Sequence, residues 1–422
     1  MLAETAVVWT SSPAPQRIAD LRLTGAGIEL TGGPIGLVSR KGEPGVLPPQ
    51  LQVLLPPRDP RNLQRRVVQT WLDREGIELR GRRPIEQDWL TLMVCGRNGI
   101  GCLDVFADDE AAKRYYVQAG GDARAGLELI PLLARVAGGD GSAADLEKVL
   151  DRCGPVAGVP GMQPKALVGE WLVKFDNPAY PGLLTLECLA YEAHKAAGFA
   201  VPEVRLEEIE GHQVLMSRRF DRGDGSTRPV ESIYAIWSAH DPGRYRCNTD
   251  GSMELVLETL RRLGADCREA YGRFVLAVLT GNGDMHSGNV SVLGWCERAQ
   301  LSPTYDPAPM RAYRGRANHD LLSALPFADI GGTSSRGYRP YADSGDTPPD
   351  LRARILKLAD AAGLTKRQAK ADLDKCLAAT EGYAEAAVST LQAAVPAGYQ
   401  GRVPDVEGFA RTLETIRRTL AT

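Results

Sequence analysis

The first quarter of the chain carries short apolar runs separated by Gly and Pro, a pattern that predicts β-strands. Between residues 21 and 110 these runs include GIEL, GLVSR and LQVLL. One run of helical spacing, NLQRRVVQTWLDREG, ends at Gly76. The continuous apolar run WLTLMVCG is typical of a buried strand. We therefore predict a mixed, β-rich module at the start of the chain.

The middle of the chain changes to helices and then to longer strands. DEAAKRYYVQAG, LELIPLLARVAG and AADLEKVLDRC carry apolar residues at helical spacing. ALVG and EWLVKFD predict two strands, LLTLECLAYEAHKAAG predicts a long helix that ends at Gly198, and VPEVRLEEIEGHQVLMSRRFDR predicts two strands around a turn at Glu210 and Gly211. After residue 231 the helical period dominates, so we predict a mostly helical last part.

This order of elements predicts an α+β fold of the protein-kinase-like, two-lobed kind. A β-rich N-terminal lobe would follow an extra N-terminal subdomain, and a mostly α-helical C-terminal lobe would complete the chain. We place the boundaries at 1–125 for the subdomain, 126–220 for the N-lobe with a Gly-rich loop, and 221–422 for the helical lobe with the catalytic loop. A fold does not determine function, so the chemistry must come from individual residues.

Composition and charge exclude several classes of protein. The net charge of −3 and the pI near 6.1 argue against a strongly basic nucleic-acid-binding surface. The eight cysteines include no CxxC pair, which argues against a zinc site and indicates reduced core residues. We find neither a signal peptide nor an apolar run long enough to cross a bilayer. We expect a cytoplasmic protein without membrane contact or direct nucleic-acid binding.

The strongest chemical signal is the segment LTGNGDMHSGNVSVL. Asp284 lies five residues before Asn289, and Asp306 follows at the end of the next predicted strand, directly after Tyr305. Phosphoryl transfer needs a carboxylate that orients the hydroxyl nucleophile and oxygen ligands that place Mg²⁺ against the phosphates. Either motif alone is also compatible with a polar turn, but both together in this order favour a phosphotransfer site.

A second signal joins a strand and the helix that follows it. Lys174 stands alone among the apolar residues of WLVKF, and Glu187 lies on the apolar stripe of the next helix. A strand lysine that contacts phosphates is commonly held by a helix glutamate, and a buried charge is costly unless it is paired. The alternative is an exposed lysine at a strand end and a solvated glutamate.

Two weaker signals flank these residues. GPVAGVPGMQPKALV places glycines at 154, 158 and 161 before a strand, with Lys165 at its start, and such loops let backbone N–H groups approach phosphates. RRFDR follows a strand at the position of an adenine-binding hinge, where Phe220 would stack on the base and Asp221 would face the ribose. The alternatives are a proline-containing loop and an ordinary turn between lobes.

The segments GMQPKALV, VKF, LECLAYEAHKAAG, RRFDR, GNGDMHSGN and PTYDPAP, taken in order, resemble the HipA-like kinases. These are bacterial serine/threonine kinases, often toxins of type II toxin–antitoxin modules. The resemblance covers about residues 25–325, and GPIGLVSRKGEPGVLPPQLQVLLPP resembles the small N-terminal subdomain of that family.

The resemblance implies ATP and Mg²⁺ as cofactors and a role for each matching residue. Asp284 would be the catalytic base, assisted by Lys174 and Glu187, and Asn289 and Asp306 would bind the metal. The residues expected around the nucleotide are Gly158, Gly161, Lys165, Lys174, Arg218, Phe220, Asp221, His286, Asn289, Tyr305 and Asp306. For His286 the alternative is a residue that only makes local hydrogen bonds in a turn.

The resemblance also implies a substrate class and a partner. The expected substrate is a Ser or Thr of a cytosolic protein, which in relatives includes aminoacyl-tRNA synthetases, with translation and growth arrest as the consequence. The expected partner is a HipB-like DNA-binding antitoxin. The alternatives are a kinase of the same fold that acts on a small molecule or lipid headgroup, and a non-catalytic ATP-binding regulator that acts through an antitoxin.

The chain departs from the family pattern in two places. The serine that several relatives autophosphorylate corresponds to Gly158, and no Ser or Thr lies between Ser142 and Thr185. A basic residue that often precedes the loop asparagine is also absent, since Gly288 precedes Asn289. If phosphorylation controls this protein, one candidate is GGTSSRGY at 331–338, for which the alternative is a solvated surface loop.

Overall fold

A computed structural model describes most of the chain. The described residues are 4–36, 47–118, 126–139, 141–153, 158–223, 225–294, 299–313, 321–330, 333–334, 337–338, 347–395 and 404–422.

The N-terminal module is built on a four-stranded antiparallel sheet of order β3-β2-β1-β4. Its strands are β1 (Thr5–Thr10), β2 (Gln16–Leu23), β3 (Ile28–Gly32) and β4 (Leu103–Phe106). Its helices are α1 (Pro49–Gln52), α2 (Leu63–Arg74), α3 (Pro84–Cys95) and α4 (Asp109–Gln118). The prediction that begins the β-rich region at residue 21 therefore misses β1 and most of β2.

Two apolar runs in this module are helical, and their prediction as strands is wrong. WLTLMVCG lies mainly in α3, where Trp89 packs against the sheet while Leu90 packs on the other side, against α2. A helix that is buried on two sides is apolar nearly all round, so its sequence resembles a buried strand. LQVLL follows the pair Pro48 and Pro49 and forms α1 and a turn.

The next lobe is a second four-stranded antiparallel sheet, of order β5-β6-β8-β7. The elements of this lobe are α5 (Ile130–Gly138), α6 (Ala143–Cys153), β5 (Lys165–Val168), β6 (Trp171–Phe175), α7 (Leu183–Ala196), β7 (Val204–Ile209) and β8 (His212–Arg218). Val173 and Phe175 point to one face of the sheet and share a core with α5, α6 and α2. The predicted helices and strands of this lobe are confirmed.

The remaining chain is mostly helical and carries a small sheet of order β11-β12-β13. Its helices are α8 (Ile233–His240), α9 (Met253–Arg262), α10 (Cys267–Thr280), α11 (Leu351–Leu358), α12 (Lys366–Ala379), α13 (Tyr383–Ala394) and α14 (Val406–Ala421). Its strands are β9 (Arg222–Gly223), β10 (Ser226–Thr227), β11 (Val230–Ser232), β12 (Ser291–Leu293), β13 (Gln300–Leu301), β14 (Thr333–Ser334) and β15 (Gly337–Tyr338). Helix α10 is buried along nearly its whole length in the core of this lobe.

Some predictions fall on residues outside the described part of the chain. Most of GLVSR lies there, as does Gly154. In the loop 331–338 only the pairing of β14 with β15 is described, so its role as a switch stays a prediction. The domain boundaries at residues 125 and 220 also stay predictions. Across the described helices, none combines the length and the apolar character that a membrane span needs.

Candidate active site

The catalytic-loop residues predicted from their spacing lie together between α10 and β12. Helix α10 ends at Thr280, and Gly281 follows with a φ of +74°, the left-handed conformation that glycine adopts readily. The backbone N–H of Asp284 donates to the side chain of Asn282 (3.1 Å), and Asn289 donates its side-chain amide to the carbonyl oxygen of Asp284 (3.1 Å). The loop is therefore closed on itself by its own side chains.

Lys174 on β6 pairs with carboxylates from two other parts of the chain, α7 and the segment after β13. Its Nζ lies 2.5 Å from Oε1 of Glu187 and 2.5 Å from Oδ1 of Asp306. Because side chains alternate along β6, Lys174 faces α7 while Val173 and Phe175 face the opposite core. The alternative of an exposed lysine is excluded, since Lys174 is 2% and Glu187 0% exposed.

The charges of this cluster depend on one another. Burial alone would raise the pKa of Asp306, but Lys174 and Lys165 outweigh it and hold that pKa well below its usual range. Burial disfavours the charged form of Lys174, yet Asp306 and Glu187 together raise its pKa above the ordinary value. For Glu187 burial outweighs Lys174 and raises the pKa. Asp306 is therefore the carboxylate that is held most firmly ionised.

Asp306 has an unusual backbone conformation. Its φ is +55°, which is uncommon for a residue other than glycine, and its backbone N–H donates to the hydroxyl of Tyr191 (3.2 Å). Tyr191 lies four residues after Glu187 on α7, on the same side of the helix. Our sequence prediction omits Tyr191, although that spacing from Glu187 was available to find it. Strained backbone held by specific contacts is often found at functional sites.

Tyr305 links the catalytic loop to the segment after β8. Its hydroxyl donates to the carbonyl oxygen of Gly288 (2.7 Å) and lies 2.6 Å from the hydroxyl of Ser291. Its ring lies 5.8 Å from the ring of Phe220, at an angle of 39°. The structure thus brings these two aromatic residues together beside the loop.

Lys165 faces the same side of the sheet as Lys174. The two residues are direct partners in the antiparallel pairing of β5 with β6, so their side chains project from the same face. The ammonium of Lys165 is buried and donates to the carbonyl oxygen of Pro160 (3.1 Å) in the Gly-rich loop. Burial lowers the pKa of Lys165, an effect that Asp306 partly offsets. Gly158 in this loop is buried, whereas Gly161 is exposed with a φ of +103°.

The predicted hinge residues differ in their surroundings. Arg218 is exposed and pairs with Glu170 (3.0 Å). Asp221 is buried, and its carboxylate accepts hydrogen bonds from Arg219, Arg222 (2.8 Å) and the backbone N–H of Gly101 (2.7 Å). Because both oxygens of Asp221 have protein donors, its observed contacts tie the segment after β8 to the N-terminal module. A ribose contact of Asp221 remains a prediction.

His286 makes a hydrogen bond within its own turn, as expected from the alternative to a nucleotide contact. Its Nδ1 accepts from the backbone N–H of Gly288 (3.1 Å), and its Nε2 lies 3.0 Å from the side-chain amide nitrogen of Asn248. These contacts brace the turn between Asp284 and Asn289. A nucleotide contact of His286 stays a prediction.

The donor set of the site suits a hard cation. Asp306 offers an ionised carboxylate, and Asn289, whose amide nitrogen is engaged by Asp284, offers its amide oxygen. Carboxylate and amide oxygens are ligands that Mg²⁺ accepts. Among the described residues, no group of three or more His, Cys, Asp or Glu side chains is placed to hold a metal ion. A cation at Asp306 and Asn289 would complete its coordination with water or with oxygens of a bound substrate, such as phosphate oxygens.

A comparison with known protein families matches the part of the chain that contains this site. Residues 157–383, more than half of the chain, match the model described as HipA-like C-terminal domain. The chain belongs to the HipA-like family. The matched segment begins in the Gly-rich loop and includes the catalytic loop and Asp306. The predicted family is thereby confirmed.

Curated relatives match a shorter part of the HipA-like chain. A protein of Sinorhizobium fredii named "Putative kinase Y4dM" is 28% identical over 179 residues, which cover 38% of this chain and 39% of that protein. A protein of Haemophilus influenzae named "Putative kinase" is 28% identical over 174 residues, which cover 38% of this chain and 50% of that protein. The chain thus spans about two-fifths to half the length of these relatives.

A solved structure matches nearly the whole chain. HipA of Shewanella oneidensis MR-1, solved in complex with HipB and operator DNA, covers 98% of this chain with a TM-score of 0.54 and 14% identity, and 96% of that chain is matched. At this identity the likeness establishes the fold. The predicted α+β, two-lobed kinase-like fold is confirmed.

Proposed function

We propose that the chain is an ATP- and Mg²⁺-dependent kinase that transfers the γ-phosphate to a Ser or Thr hydroxyl of a protein. The observation that carries this proposal is the bridge of Lys174 between Glu187 and Asp306, next to a loop that holds Asp284 and Asn289 together. A strand lysine, a helix glutamate, a loop Asp and Asn, and a later Asp are the parts that kinases use for positioning and charge stabilisation.

The phosphates would bind between the Gly-rich loop and the two strand lysines. Lys174 and Lys165 project from the same face of the sheet and supply positive charge near the negatively charged phosphates. Gly158 and Gly161 belong to the loop whose backbone N–H groups would approach those oxygens. Phe220, beside Tyr305, would contact the adenine.

Asp306 and Asn289 would hold the metal ion, with the help of phosphate oxygens. When bound, Mg²⁺ neutralises charge on the phosphates during transfer. Lys174 holds Asp306 in position through Oδ1, and Glu187 in turn holds Lys174. The orientation of the carboxylate is therefore set by the protein before any ligand enters.

Asp284 would orient the acceptor hydroxyl and accept its proton. Its backbone is held on both sides, by Asn282 through the N–H and by Asn289 through the carbonyl oxygen. Its side chain is half-buried, whereas those of Lys174 and Glu187 are buried. That partial exposure suits a residue that addresses the acceptor more than the nucleotide.

Membership of the family supports the proposal that the substrate is a cytosolic protein. The first candidate is a translation component such as an aminoacyl-tRNA synthetase. Phosphorylation of such a protein would arrest growth. The Shewanella HipA structure contains HipB and operator DNA. That assembly supports a HipB-like DNA-binding partner for this chain, which would bring it to DNA without direct contact.

The proposal is tested with the purified full chain, labelled ATP and a bacterial protein extract. Asp284→Asn should lower phosphate transfer by roughly 10²- to 10⁴-fold, while ATP affinity stays within a few-fold, since Asp284 addresses the acceptor. Excess EDTA should abolish transfer by the unaltered protein.

Transfer that persists in EDTA would refute the metal dependence. Equal losses of ATP binding and transfer in Asp284→Asn would refute the assigned base. Label that enters only small molecules or lipids of the extract would replace the protein substrate by the alternative class.

A further inference from the structure

One side chain of the N-terminal module contacts two points of the Gly-rich loop, Val159 and Lys165. Gln64 lies on α2 and is 0% exposed. Its Oε1 accepts from the backbone N–H of Val159 (2.8 Å), and its Nε2 donates to the carbonyl oxygen of Lys165 (2.9 Å). A single buried amide thus joins Val159 near the start of segment 158–165 to Lys165 at its end, where β5 begins.

The beginning of this loop also lies tightly against the N-terminal module. A Cβ added to Gly158 would lie 2.0 Å from the carbonyl oxygen of Leu54, so no side chain fits there while the loop keeps this position. The N–H of Gly158 points to the carbonyl oxygen of Cys95 (3.5 Å), a long hydrogen bond. The family resemblance matches Gly158 to the serine that several relatives phosphorylate, and here this glycine lies against the backbone of Leu54.

The bridge is directly connected to the charged cluster. Lys165 provides the carbonyl oxygen that Gln64 binds, and its ammonium projects toward the same face as Lys174. Pro160, within the loop, accepts from that ammonium. A displacement of the loop from Gln64 would therefore move both the loop backbone and one of the two strand lysines.

We infer that Gln64 is a positioning residue, through which the N-terminal module holds the phosphate-binding loop in its working position. The inference rests on the proposed function, in which this loop contacts ATP. A glycine-containing loop loses much conformational freedom when it binds a ligand. A protein that orders such a loop beforehand reduces that cost and binds the ligand more tightly.

A purely structural role for Gln64 would give a different result. The loss of a buried amide leaves its hydrogen-bond partners unsatisfied, and this lowers the stability of the fold wherever the amide lies. A structural residue would lower the melting temperature and leave the affinity of the folded protein for ATP unchanged. A positioning residue changes the affinity for ATP and the KM for ATP, while kcat with saturating ATP changes less.

The test compares Gln64→Leu with Gln69→Leu in the full chain. Gln69 lies on the same helix, but its amide makes an exposed contact with Asp73 (2.7 Å). We expect Gln64→Leu to raise the Kd for Mg²⁺–ATP and the KM for ATP by about tenfold, and Gln69→Leu to leave both unchanged. Calorimetry on folded protein gives the Kd, and thermal denaturation gives the melting temperature.

Gly158→Ala provides a second variant that leaves Gln64 in place. The added methyl should push the loop away from Leu54 and raise the Kd for Mg²⁺–ATP by a similar factor, and this variant decides the matter if Gln64→Leu does not fold. Unchanged affinity in a folded variant would overturn the inference and leave the proposed function intact. Absence of ATP binding by the unaltered chain would overturn the proposed function as well.

Discussion

Two ionic clusters of three charged side chains each lie in this molecule, and they differ in how far their carboxylates remain accessible. In one, Asp306 and Glu187 flank Lys174; in the other, Arg219 and Arg222 flank Asp221. The Asp221 carboxylate is 2% exposed, and both of its oxygens accept hydrogen bonds from protein donors. The Asp306 side chain is 27% exposed, and its Oδ1 is engaged by Lys174.

The difference separates an attachment point from a candidate binding site. In the part of the chain that the structure describes, Oε2 of Glu187 is buried without a hydrogen-bond partner, a feature that deserves an explanation because buried polar atoms are nearly always satisfied. The φ of +55° at Asp306 is a second departure from ordinary structure in the same cluster. A saturated cluster holds elements together, whereas a cluster that contains a partly exposed carboxylate, Asp306, can still take a ligand.

The largest expected effect is the loss of phosphate transfer in Asp306→Asn. The neutral amide removes the ionised oxygen that we assign to the metal, so kcat/KM should fall by roughly 10³-fold or more. The melting temperature should fall as well, because Lys174 loses one of its two carboxylate partners, but by less than in a variant that leaves buried cations with no carboxylate, since Glu187 still pairs with Lys174. Steady-state kinetics with a matched thermal denaturation checks both. Retained activity in this variant would place the metal elsewhere.

The next effect concerns Asp221→Ala, which should lower the stability of the fold strongly and change the affinity for ATP little. Two buried arginines would lose their carboxylate, and the free energy of unfolding should fall by about 3–5 kcal/mol. The folded fraction should keep its affinity for ATP within a few-fold. Urea denaturation and ATP titration measure the two quantities. Weaker ATP binding at unchanged stability would instead support the predicted ribose contact.

A third effect concerns the buried side chain of His194, whose hydrogen bond goes to a backbone carbonyl oxygen rather than to a charged group. Burial lowers the pKa of His194 to about 4, and its Nδ1 donates to the carbonyl oxygen of Ala190 (2.7 Å). Below the ordinary pKa of 6.5 the unfolded chain takes up a proton that the folded chain refuses. The free energy of unfolding should therefore decrease as the pH falls from about 6.5 to about 4.

The size of this effect is at most about 3.5 kcal/mol, since each pKa unit corresponds to about 1.4 kcal/mol. His194→Gln should flatten the dependence in this pH range, whereas His240→Gln, at an exposed position, should not. Urea denaturation of the variants at several pH values measures the slope. Equal slopes in all three proteins would show that other groups dominate acid sensitivity.

Much of the candidate site could be predicted because its spacing is local. Asp284 and Asn289 belong to one short loop that their own hydrogen bond closes, so the interval between them already encodes their proximity. Lys174 and Glu187 lie on a consecutive strand and helix, and a lone charge within an apolar pattern indicates a partner. Tyr191 follows the same rule through its spacing from Glu187, although our prediction omitted it.

Other parts could not be predicted, because the partners lie far apart along the chain. Asp221 meets Gly101 across 120 residues, and Gln64 meets Lys165 across 101. Nothing in RRFDR distinguishes a carboxylate that faces a ribose from one that anchors a distant loop. Likewise, WLTLMVCG gives no sign that α3 is buried on two sides.

By itself, the sequence determined the order of helices and strands in the second lobe, the closeness of Asp284 and Asn289 in one loop, and the family. These depend on periodicity and short intervals, which local backbone geometry converts directly into neighbouring side chains. Only the tertiary structure decided which buried charges are saturated and which module holds the Gly-rich loop. Those outcomes depend on the packing of whole elements, because a buried polar group must find its partner wherever the folded chain brings one.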